Sequence, residues 1–174
     1  MDLLTVIGFL LVCWLAADFL SGFWHWAEDR YFRAEWPIIG KYIAIPNDLH
    51  HDRPAEFLKS GYWQRNYTTM IPAAALFAVA APSWWALIFV FVSQANEVHA
   101  QAHKKSNKWV RALQEMGVMQ CPRQHGAHHR APNDSHYCVM SNWLNPLLDR
   151  LRFWQGLEFA LRLFGLKTKQ NHPG

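Results

Sequence analysis

The sequence predicts an all-α integral membrane protein with about three transmembrane helices and a histidine-rich helical cap on the cytoplasmic side. Three observations lead to this fold class. Apolar residues make up 51% of the chain and gather into long runs, all 17 Lys and Arg residues lie outside those runs, and most of the ten histidines lie in short motifs just beyond them. At 174 residues, we expect a single domain over 1–174.

Net charge and cysteine content narrow the class of protein. A formal net charge of +4 suits either nucleic acid or an anionic lipid surface as a partner. The three cysteines are widely spaced, and they form neither a disulfide framework nor a C-x-x-C metal pair. Because the sequence contains no G-x-G-x-x-G or P-loop motif, nothing in it indicates a bound nucleotide.

The first apolar run, residues 3–24, has Asp18 as its one charged residue. At 1.5 Å per residue it forms a helix of about 33 Å, enough to cross a bilayer core of roughly 30 Å. A cleaved signal peptide would need basic residues before the run and small residues after it, so we expect a retained transmembrane helix. A carboxylate inside a span is energetically expensive. Asp18 is therefore predicted to have a functional or structure-critical pairing.

The second apolar region, residues 66–98, is divided by the segment Ala81-Pro82-Ser83. This pattern predicts a helical hairpin whose two arms form spans near 68–81 and 84–100. The first arm is short for a full span, so we expect it to be tilted, bent or partly re-entrant.

Basic residues set the predicted orientation in the membrane. Lys and Arg are absent from residues 1–29 and from 66–103. By the positive-inside rule, the parts 25–65 and 101–166 are then cytoplasmic, and the amino terminus lies outside. Membrane orientation thus explains the basic composition, and we expect no nucleic-acid partner.

The carboxyl-terminal part is predicted to hold no further span. Residues 147–165 alternate apolar and charged side chains at helical period, which predicts an interfacial or docking helix. Residues 167–174, which include His172, are predicted to form a flexible tail.

Histidine spacing indicates metal ligation. The stretch PRQHGAHH carries an H-x-x-H-H pattern at His125, His128 and His129. If this stretch is helical, residues three and four apart share one face, as ligation of a metal requires. The same i, i+4 spacing recurs in NEVHAQAH at His99 and His103. Imidazole suits Fe, Zn, Cu and Ni, so the ligand type alone does not choose the metal.

Two further motifs add candidate ligands. His25 and Asp29 are four residues apart, directly after the first predicted span. The motif PNDLHH holds the adjacent pair His50 and His51 in a turn or a very short helix. The zinc-protease motif H-E-x-x-H is excluded in NEVHAQAH, because Ala100 occupies the position of the required Glu.

The number of histidines favours two metal ions. Eight histidines in these motifs exceed the three or four ligands of one tetrahedral zinc. A histidine-rich dinuclear site at the end of membrane helices suits iron that activates O2, with a lipid chain as substrate. The alternatives are a related di-iron hydroxylase, a metal hydrolase of lipids, and a non-enzymatic membrane haem or metal-binding protein. The last is disfavoured because no histidine lies at the centre of a predicted span.

Five motifs together resemble one family over about residues 17–166. They are ADFLSGFWHWAED, PNDLHH, NEVHAQAH, PRQHGAHH and HYCVMSNWLNPLLD. In combination they resemble the plasmanylethanolamine desaturases, or CarF-type lipid desaturases, a group that includes a plant plastidial palmitate desaturase. The resemblance implies an integral membrane, non-haem di-iron enzyme that uses O2. It also implies electrons from a small carrier such as cytochrome b5 or ferredoxin, and conversion of a 1-O-alkyl ether phospholipid to the vinyl ether of a plasmalogen.

Carried over by position, the resemblance also implies a set of metal ligands. Asp29 stands where other membrane desaturases have a second histidine. His136 is expected to orient a ligand rather than to bind metal itself. Fatty-acyl-lipid desaturation by the same kind of site remains an alternative activity. The implied ligands are His25, Asp29, His50, His51, His99, His103, His125, His128 and His129.

Overall fold

A computed structural model describes residues 2–169 of the chain, and these residues form helices and no strand. The all-helical prediction is therefore confirmed for this part of the chain. A π-helical turn, Gly40–Ala44, and a 3-10 turn, Trp84–Ala86, supplement the α-helices. The α-helices are α1 (Leu3–Arg30), α2 (Ile45–Asp52), α3 (Pro54–Lys59), α4 (Tyr62–Ala80), α5 (Leu87–Val92), α6 (Ala95–Ala102), α7 (Lys108–Glu115), α8 (Pro122–His128), α9 (Leu144–Arg150) and α10 (Phe153–Leu163).

Helix α1 has the length and composition of a membrane span. Its 28 residues make a rod of about 42 Å, and its most apolar stretch has a mean hydropathy of 2.3. Asp2 caps the amino terminus by accepting a hydrogen bond from the Thr5 backbone N–H. The helix continues past residue 24, where the predicted span ended, so the same rigid element carries His25 and Asp29.

The predicted hairpin over 66–98 is present, but its second arm is not one helix. A 3-10 turn, α5 and α6 follow one another there, with a break at Ser93 and Gln94. The Ser93 hydroxyl donates to the Val90 carbonyl, which competes with the helical ladder at this break. The second arm, predicted to be one helical span, is therefore divided into three segments. Among residues 2–169, α1 alone is long and apolar enough to cross a membrane.

Asp18 joins α1 to the segment 137–141. The Asp18 carboxylate is fully buried, and it accepts hydrogen bonds from the Met140 N–H at 2.9 Å and the Ser141 hydroxyl at 2.5 Å. A buried carboxylate needs such partners. At Gly22, a Cβ would lie 2.5 Å from the Cys138 Sγ, so the two segments are in close contact. The predicted structure-critical pairing of Asp18 is present.

The predicted docking helix over 147–165 is two helices, α9 and α10. Arg152 lies between them in the left-handed region, with φ 51°. Helix α10 docks on α1, where Trp154 stacks on Trp26 at a centroid distance of 5.9 Å. Glu158 of α10 pairs with Arg30 of α1 at 2.6 Å.

The prediction of a flexible tail is wrong for residues 167–169. Lys169 donates its backbone N–H to the Arg30 carbonyl at 2.7 Å. Its ammonium group also pairs with Asp48 at 2.6 Å. Residues 167–169 are thus docked on α1 and α2, whereas His172 and the prediction for 170–174 lie outside the described residues.

Candidate metal centre

The structure brings all nine predicted ligands together, and it divides them into two adjoining clusters. In each cluster, one potential ligand atom per residue lies within 4.8 Å of the others. The five-histidine cluster consists of His50, His99, His103, His125 and His129. The carboxylate cluster consists of His25, Asp29, His51 and His128.

The short helices α2 and α8 position four of these histidines. Helices α2 and α8 both have proline in their first turn, where its missing N–H leaves no hydrogen bond unmade. The following turns then present the histidine pairs. Successive residues of an α-helix point about 100° apart. Adjacent histidines therefore serve different clusters: His50 and His129 lie in the first cluster, and His51 and His128 in the second.

The five-histidine cluster has the spacing of ligands around one ion. Its neighbouring Nε2 atoms lie 2.6 to 3.2 Å apart. A neutral imidazole nitrogen donates or accepts, so nitrogens that all face one another cannot all form hydrogen bonds. Two nitrogens about 2.1 Å from an ion and at right angles lie about 3.0 Å apart, against about 3.4 Å at a tetrahedral angle. The observed spacing thus fits a coordination shell of more than four ligands.

The histidines of this cluster stay neutral at physiological pH. Burial, assisted by the neighbouring imidazoles, lowers the pKa of His103 to about 4 and that of His129 to about 2. Burial likewise lowers the pKa of His50 and of His125. Neutral imidazole is the form that binds a metal.

The carboxylate cluster is arranged around Asp29. Its Oδ1 atom lies 3.0 Å from Nε2 of His51 and 3.8 Å from Nε2 of His25. Its Oδ2 atom lies 3.2 Å from Nε2 of His128. Outside the cluster, the Asn47 amide donates a 2.6 Å hydrogen bond to Asp29 Oδ1. This bond fixes the carboxylate while leaving Oδ2 available.

Backbone carbonyls hold two imidazoles of the carboxylate cluster in the tautomer that metal binding requires. The Nδ1–H of His25 donates to the Tyr137 carbonyl at 3.1 Å, and the Nδ1–H of His128 donates to the Ser135 carbonyl at 2.8 Å. The Nε2 lone pairs then point into the cluster, an arrangement typical of metal-ligating histidines.

Buried atoms of the carboxylate cluster have no hydrogen-bond partner. Among the described residues, none forms a hydrogen bond with Nε2 of His25, Nε2 of His128 or Oδ2 of Asp29. The 3.2 Å contact between the last two atoms is not a hydrogen bond, because His128 carries its proton on Nδ1 and its Nε2 lone pair faces the carboxylate oxygen. Three buried polar atoms of this kind would be costly in the absence of a ligand. Both clusters therefore fit a bound cation.

The two clusters lie side by side, with imidazoles of one packed against imidazoles of the other. The imidazoles of His51 and His129 lie 4.9 Å apart between ring centroids, and those of His25 and His99 lie 5.7 Å apart. An apolar cavity of about 380 Å³ between α1, α4 and α5 reaches both clusters, since its lining includes His25, His50 and His99.

A family model of the lipid desaturase domain matches residues 14–171. The chain belongs to the lipid desaturase family. This confirms the resemblance found in the sequence motifs, and it makes the chain a member of a family of membrane-associated oxidoreductases that act on lipids. The metal-compatible histidine clusters lie within the matched residues.

Curated relatives of the chain carry two kinds of name. "Plasmanylethanolamine desaturase 1" of Mus musculus is 30% identical, with 83% of this chain and 60% of the mouse protein covered. "Fatty acid desaturase 4-like 1, chloroplastic" of Arabidopsis thaliana is 33% identical, with 90% of this chain and 57% of the plant protein covered. "Probable fatty acid desaturase MIMI_L630" of Acanthamoeba polyphaga mimivirus is 29% identical, with 94% of this chain and 84% of the viral protein covered. No solved structure matches the chain.

His136 does not have the predicted role. Its Nδ1 lies 3.0 Å from Asp149 Oδ2 and 3.0 Å from the Ser135 hydroxyl, so its ring contacts no residue of either cluster there. Its backbone lies in the left-handed region, with φ 59°. The orienting groups are the Ser135 and Tyr137 carbonyls and Asn47. A carbonyl leaves no signal in residue type, although Asn47, three residues before His50, mimics the first position of an H-x-x-H-H motif.

Proposed function

We propose that the chain is a membrane di-iron desaturase that introduces the vinyl ether double bond into a 1-O-alkyl ether phospholipid. One observation carries the proposal: two adjoining clusters of metal-compatible side chains meet the end of an apolar cavity. A cavity of this kind suits an alkyl chain, and the clusters suit two ions that share one substrate.

The residue types of the clusters fit iron. One ion would be held by five imidazoles, and the other by three imidazoles and the Asp29 carboxylate. Imidazole combined with carboxylate suits non-haem iron, and a four-ligand set leaves positions open. Two irons so bound would supply oxidising chemistry: O2, two external electrons and two protons remove two hydrogens from adjacent carbons and yield two waters.

The chain's own residues place the substrate. The cavity holds an alkyl chain away from water and presents one carbon pair to the clusters, which is how positioning contributes to rate. Hydrogen bonds from His25 and His128 to backbone carbonyls keep their imidazoles from rotating. The Asn47 amide holds Asp29 in the same way.

The lining of the cavity supports reaction near the lipid headgroup. Helix α4 lines it with Gln64 and Thr68 in its first turns and with Ala73 and Leu76 in later turns. Asn96 lies one turn before His99 on α6, and it donates to the Arg65 carbonyl on α4 at 2.7 Å. The polar end of the cavity, near the start of α4, is therefore next to the histidine clusters. The carbons next to a polar headgroup would then lie at the clusters, as the first carbons of a 1-O-alkyl chain do.

Membrane placement and electron supply complete the proposal. We propose that α1 and the two arms of the hairpin enter the bilayer, with the amino terminus outside and the clusters on the cytoplasmic side, as the positive-inside rule favours. The two electrons would come from a small carrier such as cytochrome b5 or ferredoxin. Fatty-acyl desaturation is a second candidate activity, favoured by the names of the plant and mimivirus relatives.

Lipid analysis after expression tests the activity. In a host that makes alkyl ether phospholipids but no plasmalogens, expression should produce vinyl ether lipids, and a His125→Ala variant should not. New acyl double bonds with no vinyl ether would favour the second candidate. Oxygen insertion into the chain would contradict desaturation.

A further inference from the structure

Arg65 lies at the polar end of the cavity, and one of its three guanidinium nitrogens has no hydrogen-bond partner among the described residues. Its guanidinium donates through Nη1 to the Ser60 carbonyl and through Nη2 to Glu97 Oε2 at 2.8 Å. The side chain is 10% exposed and lines the cavity. Its Nε is buried, and no described residue accepts a hydrogen bond from it.

The contacts of Nη1 and Nη2 fix the direction in which Nε–H points. A guanidinium is planar, and its donors form a rigid fork, so two anchored amino groups leave Nε–H no freedom to turn elsewhere. Nε–H is therefore preorganised toward an acceptor that the described residues do not provide. The alkyl part of a lipid has no acceptor, whereas its phosphoglycerol part has several oxygens.

We infer that Arg65 is the residue that recognises the phosphoglycerol part of the lipid, by donating Nε–H to one of its oxygens. The inference rests on the proposed function, because it takes the cavity to be the lipid site. Arg65 would act as a positioning residue: with the oxygen fixed there, the carbons at a set distance along the chain lie at the clusters.

The polar-to-apolar order along α4 supports this orientation of the lipid. Gln64 and Thr68 follow the same side of the helix as Pro72 and Leu76, while Arg65 and Thr69 follow the side of Ala73. From Arg65 to Leu76 the helix rises about 17 Å. A lipid with its oxygens at Arg65 and its chain along α4 thus meets polar side chains first and apolar ones afterwards.

The alternative is a purely structural role, since the Arg65–Glu97 ion pair ties α4 to α6. Arg65→Lys separates the two roles. Lysine keeps the positive charge beside Glu97 but has no planar fork and no Nε–H. Lys104→Gln is the matched control, because Lys104 also contacts Glu97, at 3.6 Å, and does not line the cavity.

Two probes identify the oxygen. Purified iron-loaded protein, supplied with O2 and a reduced carrier such as cytochrome b5 or ferredoxin, is assayed with 1-O-hexadecyl-2-oleoyl phosphatidylethanolamine and with 1-O-hexadecyl-2-oleoyl glycerol, which lacks the phosphate. Equilibrium binding of both probes in nanodiscs is measured alongside kcat and KM. For Arg65→Lys we expect KM and Kd for the phospholipid to rise on the order of 10-fold, the size of one lost hydrogen bond to a charged donor. We expect kcat to change less and double bonds to form at more than one position.

The outcomes separate the explanations. If the penalty applies only to the phospholipid, the oxygen belongs to the phosphate; if it applies equally to both probes, it belongs to the glycerol ester region. Unchanged KM, Kd and double-bond position in Arg65→Lys overturn the inference, even if the melting temperature falls. If the unaltered protein converts neither probe, the proposed function fails, and the binding data still decide the role of Arg65.

Discussion

The five-histidine cluster and the carboxylate cluster hold their side chains by different means. In the carboxylate cluster, His25 and His128 are each fixed from behind by a backbone carbonyl, and Asp29 is fixed by Asn47. In the five-histidine cluster, Nδ1 of His50, His125 and His129 has no partner among the described residues, whereas in the carboxylate cluster this holds for His51 alone. Hydrogen bonds to the surrounding fold thus hold the carboxylate cluster in place, whereas the arrangement of the five-histidine cluster depends on what its Nε2 atoms bind. We therefore expect the two clusters to respond differently to mutation and to acid.

The largest effect is expected from His125→Ala in the five-histidine cluster. His125 Nε2 lies within 2.9 Å of the Nε2 atoms of His99, His103 and His129, so its loss leaves the remaining imidazoles without their common centre. Activity should fall by more than about 100-fold, beyond the range typical of outer partners, and at least one iron per chain should be lost. Iron analysis and lipid desaturation assays measure both. Iron retained in full would contradict a ligand role.

A smaller effect is expected from Asn47→Ala behind the carboxylate cluster. The variant removes the 2.6 Å hydrogen bond to Asp29 while keeping every candidate ligand. Activity should fall by about 10- to 100-fold with most of the iron retained, as is typical when an outer partner is removed. Asn47→Asp places a second carboxylate beside Asp29 and should be no better than alanine. If Asn47→Ala lost iron as fully as His125→Ala, the two clusters would not differ as described.

Acid should affect His103 of the five-histidine cluster and His51 of the carboxylate cluster in opposite ways in the metal-free protein. The pKa of His103 is lowered to about 4, chiefly by burial, so the folded state binds fewer protons than the unfolded state between pH 4 and about 6.5. Its contribution to stability is therefore lost as pH falls through this window. His51 is also buried, but its hydrogen bond to Asp29 raises its pKa. The stability from His51 is present below pH 6.5 and is lost as pH rises through the raised pKa.

Melting temperatures of metal-free variants measure this contrast. His103→Gln should flatten the loss of stability between pH 6.5 and 4, whereas His51→Gln should remove stability mainly at the acid end. Equal pH profiles for the two variants would show that the surroundings of the two histidines do not differ.

The smallest effect is expected at His136, outside both clusters. Its ring pairs with Asp149, and both side chains are partly exposed, so the pair should contribute at most about 1 kcal/mol. Asparagine tolerates the positive φ of 59° at this position. His136→Asn should thus keep iron and activity, with a small change in melting temperature. Loss of iron in this variant would return His136 to the candidate site.

Sequence spacing and the family resemblance together named the nine side chains that the structure brings together, but they did not predict how these divide into two clusters. The i, i+4 pairs at His25 and Asp29 and at His99 and His103 follow from helix geometry alone. His50 and His51, in contrast, are neighbours in sequence and lie in different clusters, which depends on how α2 meets α1 and α6. The break at Ser93 was missed because an apolar run gives no sign of a side chain that bonds its own backbone.

The central claim is that two unequal ion sites adjoin each other at the end of the cavity. Mössbauer spectroscopy of protein loaded with the Mössbauer-active iron isotope tests it most directly. The structure predicts two irons per chain and two quadrupole doublets of equal area, because five imidazoles surround one ion and three imidazoles with a carboxylate surround the other. A single iron per chain, or one zinc per chain with activity that survives iron chelation, would contradict the claim.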